Sequence, residues 1–407
     1  MTNIKILVCK YIYTPNGFRE NLAVAFDNLI RDIDDIESLK IKYADAKIID
    51  KSDNFILYSG FINTHTHLEF SANKTTLDYG DFMNWLDSVI VNRDELVGRC
   101  DNNTMIKACS DMLKSGITSF GAISSFGNEI EVASQTPQRV VIFNEVIGSV
   151  PAYADMLYND FLQRVDESMK LDKHSRVYPA IAIHSPYSVH PIILEKAISL
   201  AKKHSLPLST HFMESKYERE WLDCGEGDFK EFFQKYFNTS TPVTNSIEFI
   251  NAFNGYPTHF VHCVYASQDE LTHLKKHNHS IGHAPRSNRY LGCDRLKIED
   301  IDMPMSVVTD GLSSNNSLNI FDELRASLFI HNNQDLDKLS DRLIKSITSD
   351  GADILGLNTG RIEIGKMADF AIIKLDDMPD SKDKLALWTI LHTKEVDSLY
   401  IDGERYI

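Results

Sequence analysis

Short apolar runs rich in valine, isoleucine and phenylalanine recur along the chain, and longer segments with helical periodicity separate them. About eight such runs alternate with helical segments, which is the pattern of a (β/α)8 barrel. The charged and aromatic segment Met213–Phe237 is also predicted to be helical. The sequence therefore predicts an α/β fold, a TIM-type barrel, with strands at Phe55–Thr64, Ile117–Ser124, Arg139–Val146, Val177–His184, Leu206–His211, Thr258–His262, Ser280–His283 and Met305–Asp310.

The two ends of the chain have a different pattern, in which apolar and polar residues alternate as in half-buried strands. Near the C-terminus the run Val396–Ile401 reaches Asp402-Gly403, a pair favoured in tight hairpins. We therefore predict a small β-sandwich domain built from both termini, residues 1–54 and 355–407, with the barrel domain, residues 55–354, inserted between them. The other terminal runs are Ile4–Tyr13, Leu22–Phe26, Ala46–Asp50 and Ala368–Leu375.

The composition excludes some classes of partner. The chain has 407 residues, a formal net charge of −16 and a sequence pI near 5.4. An acidic surface repels phosphate backbones and anionic membranes, so we expect neither nucleic acid nor a membrane as a partner. The six cysteines form no Cys-x-x-Cys pair, which favours reduced thiols. Because there is no apolar run of about 20 residues and no signal-peptide pattern, we predict a cytoplasmic protein.

Several of the predicted strands end on a residue that can bind a metal ion or transfer a proton. In a (β/α)8 barrel the C-terminal ends of the strands form one rim, and the active site lies there. Side chains that are distant in sequence are therefore expected to converge. These strand-end residues are His65 with His67, His184, His211, His262, His283 and Asp310.

His65 and His67 are two positions apart on a strand, so their side chains point the same way. With His211 and Asp310 they make a nitrogen-rich site with one carboxylate, which suits Zn²⁺ or Fe²⁺ and suits Mg²⁺ or Ca²⁺ poorly. Such a site leaves a coordination position open for water and lowers the pKa of that water toward neutrality. A single strand-end histidine is more often structural, and we expect that of His283; the whole set in this order is what indicates a metal site.

Glu214 follows His211 by three residues, which places a carboxylate beside the predicted metal site. It is suited to protonate a substrate bound over the metal. The alternative is a glutamate that only stabilises a helix N-terminus. We favour the catalytic role, and we interpret His190, His204, His273, His277 and His279 as surface histidines.

These motifs resemble the amidohydrolase superfamily and, within it, the cytosine/adenosine-deaminase-like branch. That branch includes methylthioadenosine/S-adenosylhomocysteine deaminases and triazine hydrolases. Two-metal members of the superfamily carry a lysine or a carboxylate on the fourth strand, whereas this chain ends that strand at His184, which implies one divalent metal ion per subunit. The resemblance rests on Gly60–His67, His184-Ser185-Pro186-Tyr187, His211–Glu214, His262, Pro285–Asn288, Thr309-Asp310-Gly311 and Gly365–Phe370.

The resemblance also implies roles for individual residues. His65, His67, His211 and Asp310 would ligate the metal, and Asp310 would also accept a proton from the attacking water. Glu214 would act as the proton shuttle, His262 would orient the water, and His184 and Glu214 would bind the nucleoside. Trp85 would contact the base, and the alternative is that it is a core tryptophan. Arg286 or Arg289 would bind a carboxylate of the substrate.

The activity implied by the resemblance is the hydrolytic deamination of an aminopurine nucleoside. The likeness is greatest to enzymes that convert 6-amino-6-deoxyfutalosine to futalosine in menaquinone biosynthesis. Three alternatives remain open at this point: a methylthioadenosine, S-adenosylhomocysteine, adenosine or guanine deaminase, a triazine-type chlorohydrolase, and a non-catalytic assembly protein of the same fold. The expected partner is a small-molecule nucleoside, and a homodimer is the prior expectation for a soluble chain.

Overall fold

The computed structural model describes residues 4–171 and 176–407. The strands are β1 (Lys5–Thr14), β2 (Gly17–Arg19), β3 (Ala23–Phe26), β4 (Ile30–Asp34), β5 (Lys47–Ser59), β6 (Phe61–His67), β7 (Ile117–Ser124), β8 (Arg139–Val146), β9 (Val177–Ile183), β10 (Leu208–Phe212), β11 (Thr258–His262), β12 (Ser280–His283), β13 (Met305–Val307), β14 (Phe370–Lys374), β15 (Ser398–Ile401) and β16 (Glu404–Arg405).

The helices connect the strands. They are α1 (Ile36–Lys42), α2 (Phe82–Arg99), α3 (Asn102–Lys114), α4 (Glu129–Gln135), α5 (Ala154–Met169), α6 (Pro191–His204), α7 (Lys216–Cys224), α8 (Asp228–Phe237), α9 (Ser246–Ala252), α10 (Gln268–Lys276), α11 (Pro285–Tyr290), α12 (Ile320–Ile330), α13 (Leu336–Ser346), α14 (Ser349–Leu355) and α15 (Leu385–His392). Among the helices of the described residues, none is long and apolar enough to cross a membrane.

Strands β6 to β13 form one eight-stranded sheet in which each strand neighbours the next one along the chain. Successive strands from β8 to β13 pair in parallel, and helices connect them. Parallel strands need such crossover connections, and both faces of the sheet are then buried. The predicted (β/α)8 fold class is confirmed. The bounds of β7, β8, β11 and β12 coincide with the predicted runs.

The first predicted barrel strand, Phe55–Thr64, is wrong as a single element. The apolar run is divided at Gly60: residues before it end β5, and residues after it begin β6. In β5, Phe55 to Ser59 pair antiparallel with β14. A Cβ atom at Gly60 would lie 2.1 Å from Oγ1 of Thr118, so the close approach of these two segments requires glycine there.

The terminal strands form a second, mixed sheet with the order β16-β15-β14-β5-β1-β3-β4, and β2 pairs with β1. The parallel pairing of β1 with β5 and the antiparallel pairing of β5 with β14 join the two ends of the chain in this sheet. The predicted turn at Asp402-Gly403 connects β15 and β16, and both residues have positive φ, 51° and 73°. One face of the sheet buries a core that includes Leu7, Phe26 and Phe370.

The chain divides into two compact units. The terminal unit comprises Met1–Asn63, Cys109–Phe120 and Asn319–Ile407, and the barrel unit comprises Thr64–Ala108 and Gly121–Leu318. All of the predicted site residues lie in the barrel unit. Within that unit, the segment Met213–Phe237, predicted to be helical, contains the two helices α7 and α8, and Gly225 and Gly227 adopt positive φ between them.

Candidate functional site

His65 and His67 occupy the C-terminal end of β6 on the same face of the strand, as their spacing predicts. Their ring centroids lie 5.0 Å apart, and the His65 side chain is 1% exposed. Neither ring nitrogen of His65 has a hydrogen-bond partner. Because buried polar atoms are almost always paired, two orphaned nitrogens on one buried ring point to a ligand that binds there.

His211 and Asp310 complete this cluster from β10 and from the segment after β13. A nitrogen of His211 lies within 4.8 Å of nitrogens of His65 and His67. Oδ1 of Asp310 lies 3.6 Å from Nε2 of His65 and 3.6 Å from Nε2 of His67. Three imidazoles and one carboxylate converge at separations too long for hydrogen bonds, and this donor set fits a zinc-type divalent cation.

The ring of His211 is held in one orientation by the backbone. Its Nδ1 donates a hydrogen bond of 2.8 Å to the carbonyl oxygen of His184, at the end of the neighbouring strand. The Nδ1–H tautomer leaves Nε2 with a lone pair. An imidazole whose second nitrogen is fixed in this way is the usual form of a metal-ligating histidine.

Asp310 is oriented by three donors. Oδ2 accepts hydrogen bonds from the hydroxyls of Ser287, at 2.7 Å, and Ser314, at 3.0 Å, and Oδ1 accepts the backbone N–H of Gly311. Asp310 itself has a φ of 56°, a left-handed conformation that is uncommon outside glycine and clusters at functional sites. Burial raises the pKa of this carboxyl, but the rings of His65 and His67 outweigh burial and hold it well below its usual range.

The protonation states of the two neighbouring histidines differ in the metal-free chain. Burial lowers the pKa of His65 to about 4. Burial also disfavours charge on His67, but the carboxylates of Glu69 and Asp310 outweigh it and raise the pKa of His67 to about 9. A metal ligand must be a neutral imidazole, so a cation that bound His67 at neutral pH would displace a proton from its ring.

His262 and Glu214 lie beside this cluster and face each other. Nε2 of His262 is 3.5 Å from Oε1 of Glu214, and Nδ1 of His262 is 2.8 Å from Oδ1 of Asn288. The side-chain oxygen of Asn288 accepts a hydrogen bond from Nδ1–H of His262, so Nε2 carries no proton and is a hydrogen-bond acceptor directed at the site. Burial lowers the pKa of His262 and favours the neutral ring.

Glu214 is buried, and its surroundings favour the protonated carboxyl group. Burial, followed by the charges of Asp310 and Glu218, raises the pKa of Glu214 well above its usual range. The backbone is fixed by Glu218, which accepts the N–H groups of Met213 and Glu214 at 2.9 Å each. A carboxyl whose pKa is raised by burial is the kind of group that general acid catalysis needs.

A cavity of about 490 Å³ opens over these residues, and it is lined by His67, His184, His211, Glu214, His262 and Asp310 together with many aromatic side chains. His184 is held at the wall because its Nδ1 lies 2.6 Å from the hydroxyl of Ser188. Trp85 also lines the cavity, and its Nε1 donates to the carbonyl oxygen of Ser313 at 2.9 Å. The structure thus brings together all of the predicted site residues except Arg286 and Arg289, neither of which lines the cavity.

Several polar residues that line the cavity were not predicted from the sequence, and Glu69, Ser125 and Glu145 are among them. The hydroxyl of Ser125 donates to the carboxylates of Glu69, at 3.0 Å, and Glu145, at 2.7 Å. Glu145 lies one residue before the end of β8, so the rule that found the strand-end histidines applies to it as well.

The burial of two other histidines bears on the sequence predictions. His283, expected to be structural, is buried. His279, expected at the surface, is also buried and accepts a hydrogen bond from the N–H of Thr258.

Comparison with known proteins gives a match to the amidohydrolase family over residues 56–406. An aminodeoxyfutalosine deaminase from Nitratiruptor sp. is 43% identical over 397 residues, which cover 97% of this chain and 98% of that protein. An adenosine deaminase from Helicobacter pylori is 37% identical, and the alignment covers 95% of each chain.

A solved structure extends the comparison to three dimensions. Helicobacter pylori aminofutalosine deaminase in complex with methylthio-coformycin superposes with a TM-score of 0.94 at 35% identity, covering 99% of this chain and 100% of that one. A triazine hydrolase from Arthrobacter, at 16% identity and a TM-score of 0.81, shares the fold. The family match and the nearly full-length relatives together confirm that this chain is a hydrolase and belongs to the amidohydrolase family.

Proposed function

We propose that the chain is a metal-dependent deaminase that hydrolyses 6-amino-6-deoxyfutalosine to futalosine and ammonia. The proposal rests on the position of a buried Glu214, whose pKa is raised by burial, beside the cluster of His65, His67, His211 and Asp310 at one end of an aromatic cavity. A nucleoside deaminase needs a hydrolytic centre, an acid for a ring nitrogen and an apolar slot for the base. The names of the relatives from Nitratiruptor and Helicobacter support the same substrate class.

The residues present fit one divalent metal ion, Zn²⁺ or Fe²⁺, held by His65, His67, His211 and Asp310. The two orphaned nitrogens of His65 are the structural basis for this assignment. Such an ion would lower the pKa of water and so supply a hydroxide nucleophile at neutral pH. Nitrogen-rich sites of this kind bind both metals, so the proposal names the ligand set and one ion per subunit.

The residues of the chain carry the proton transfers. The carboxylate of Asp310 accepts the proton that the attacking water loses, and Nε2 of His262 accepts a hydrogen bond that orients this water. Glu214 donates its proton to N1 of the aminopurine, which makes C6 more electrophilic. Oxygen then adds to C6 and gives a tetrahedral carbon that carries both the amino group and the new hydroxyl.

Ammonia leaves after a second proton transfer. The proton held by Asp310 passes to the amino group, and the C6–N bond breaks. Glu214 recovers a proton from the new hydroxyl, which leaves the proton on N1 and gives the 6-oxo product. Trp85 and His184 both line the cavity, and we assign Trp85 to contact with the base and His184 to contact with the nucleoside. Glu214 acts as the acid and Asp310 as the base, because their environments raise the pKa of Glu214 and lower that of Asp310.

A substrate panel tests the proposal. Purified protein reconstituted with Zn²⁺ or Fe²⁺ is assayed for ammonia release from 6-amino-6-deoxyfutalosine, methylthioadenosine, S-adenosylhomocysteine, adenosine and guanine. We expect the highest kcat/KM for 6-amino-6-deoxyfutalosine. A higher value for another compound would replace the proposed substrate, and absence of turnover with a bound metal would support the non-catalytic alternative. Chloride release from a triazine is the corresponding assay for the chlorohydrolase alternative.

Further properties belong to the same proposal. We propose a place in menaquinone biosynthesis, a cytoplasmic location and a homodimer, with no nucleic acid or membrane partner. We also keep, as a proposal, the division into a terminal β domain of residues 1–54 and 355–407 and a barrel domain of residues 55–354. Sedimentation of the purified protein measures the oligomeric state.

A further inference from the structure

One wall of the cavity is a single face of helix α2. Trp85, Leu86, Val89, Ile90 and Arg93 all line it, and their spacing of about one helical turn puts them in one row. Four of these side chains are apolar or aromatic. Among the described residues that line this cavity, Arg93 is the one arginine, and no lysine accompanies it.

The row runs away from the reactive end of the cavity. Trp85 is anchored near that end, since its Nε1 donates to Ser313, a few residues after Asp310. Arg93 is eight residues further along α2, and at a rise of 1.5 Å per residue this is roughly 12 Å along the helix. A nucleoside that presents N1 of its purine to Glu214 therefore has its far substituent near Arg93.

The guanidinium of Arg93 is available to a ligand. Its Nε lies 3.3 Å from Oδ1 of Asp94, whose side chain is 91% exposed, and an exposed pair of this kind contributes little free energy. Its Cζ lies 5.8 Å from the ring centroid of Phe126, which also lines the cavity. The arrangement presents a cation and an aromatic face together, and it suits an aromatic carboxylate.

We propose that Arg93 is the residue that selects a carboxylate on the far substituent of the substrate, with Phe126 packing against the aromatic group that bears it. This inference rests on the proposed function, because it assumes that the purine lies over the metal centre. It replaces Arg286 and Arg289 as the cation for that carboxylate. Arg286 instead hydrogen-bonds Asn316 and lies 5.8 Å from the ring centroid of Tyr290.

The test compares two compounds that differ only in charge: 6-amino-6-deoxyfutalosine and the methyl ester of its benzoate. Wild-type protein is expected to prefer the acid over the ester by about tenfold to a hundredfold in kcat/KM, the value of a charge-assisted pair in a partly exposed site. Arg93→Gln should abolish the preference by raising KM for the acid, with kcat for both compounds nearly unchanged. Arg93→Lys should keep part of the preference that Arg93→Gln loses, because lysine supplies the positive charge but not the planar guanidinium that binds a carboxylate through two hydrogen bonds.

Arg99→Gln is the matched control, since Arg99 lies on the same helix, pairs with Glu95 and does not line the cavity. This variant should keep the wild-type preference. If Arg93→Gln keeps the preference for the acid, or lowers kcat/KM for acid and ester equally, the role of Arg93 is overturned while the deaminase proposal stands. If wild-type protein releases ammonia from neither compound, the proposed substrate itself is overturned.

Ionic strength gives a second readout. Salt screens a partly exposed ion pair, so the preference of the wild-type protein for the acid should decline between low salt and roughly 0.5 M salt. The Arg93→Gln variant should show no such decline. A wild-type preference that is independent of salt would contradict an ion pair at this position.

Discussion

The hydroxyl of Ser287 donates a hydrogen bond of 2.7 Å to Oδ2 of Asp310. Ser314 donates to the same oxygen, so Oδ2 is occupied and Oδ1 is turned toward the rings of His65 and His67. The carboxylate is thereby oriented before any metal binds. Outer partners of this kind commonly contribute a large part of the affinity of a metal site.

Removal of the Ser287 hydroxyl should weaken metal binding. We expect Ser287→Ala to raise the dissociation constant for Zn²⁺ by about tenfold to a hundredfold, because Oδ2 of Asp310 loses one of the two hydroxyl donors that orient it. Competition with a chromophoric chelator measures the constant. Ser134→Ala is the control, since Ser134 is exposed on α4 and bonds only a local carbonyl oxygen. An unchanged constant in Ser287→Ala would contradict the orienting role.

Glu214→Gln should separate catalysis from metal binding. The amide cannot hold and release the proton, so kcat should fall by about 10² to 10⁴. Metal content should stay at one ion per subunit, because Glu214 is not assigned as a ligand. Elemental analysis and steady-state kinetics on the same preparation give both values. Loss of the metal along with activity would instead make Glu214 a ligand.

His65→Ala should lose both metal and turnover. Polarisation by a metal contributes several kcal/mol of transition-state stabilisation, which corresponds to a fall of about a thousandfold or more in kcat/KM. His204→Ala, at the C-terminal end of α6, is the matched control and should retain both. Chelation of the wild-type protein should reproduce the loss, and added Zn²⁺ or Fe²⁺ should reverse it. Full activity in His65→Ala would exclude this residue from the ligand set.

The Arg219–Glu270 pair should make stability depend on pH at the acidic end. Glu270 is 1% exposed and accepts from Arg219 and from the Ser267 N–H. Burial raises its pKa, but the hydrogen bonds from Ser246, Arg219 and Ser267 outweigh burial and lower the pKa below the usual 4.5. A lowered carboxyl pKa stabilises the fold above the unfolded-state value, and this contribution is lost as pH falls through the folded-state value.

Glu270→Gln should therefore destabilise the protein by about 2 to 4 kcal/mol at pH 7, and the difference from wild type should shrink below about pH 4.5. Urea unfolding across this range measures it. Glu299→Gln removes a carboxylate from the more exposed Arg295–Glu299 pair and should cost about 1 kcal/mol or less. A difference that is constant from pH 7 down to pH 3 would contradict the assignment of the pKa shift to Glu270.

The sequence predicted the barrel and its rim well because both depend on local patterns. An apolar run that ends at a polar residue, as β11 ends at His262, contains the strand and its catalytic end together. The same rule failed at Phe55–Thr64, because the apolar pattern continues across Gly60 while the chain passes from one sheet to the other. No feature of hydrophobicity distinguishes a strand from two strands joined at a glycine.

Other features depend on tertiary contacts that a single sequence does not reveal. His279 looks like a polar loop residue, yet its ring packs 5.0 Å from that of Phe260 and its Nδ1 accepts the N–H of Thr258. Arg93 sits in an ordinary amphipathic helix, and only the folded cavity distinguishes it from Arg99. The roles predicted for His262 and His184 remain proposals, although both side chains lie at the cavity.

The four proposed ligands are spread from residue 65 to residue 310, and strand β14, which pairs with β5, begins only at Phe370. A ribosome delivers the chain from its N-terminus. A nascent chain that ends before Asp310 therefore has the three imidazoles and lacks the carboxylate. Strand β5 is made early, but it cannot pair with its antiparallel partner β14 until Phe370 and the residues after it have been made. The full set of proposed ligands is therefore present only after Asp310 has been made, and the terminal sheet closes only after β14 has been made.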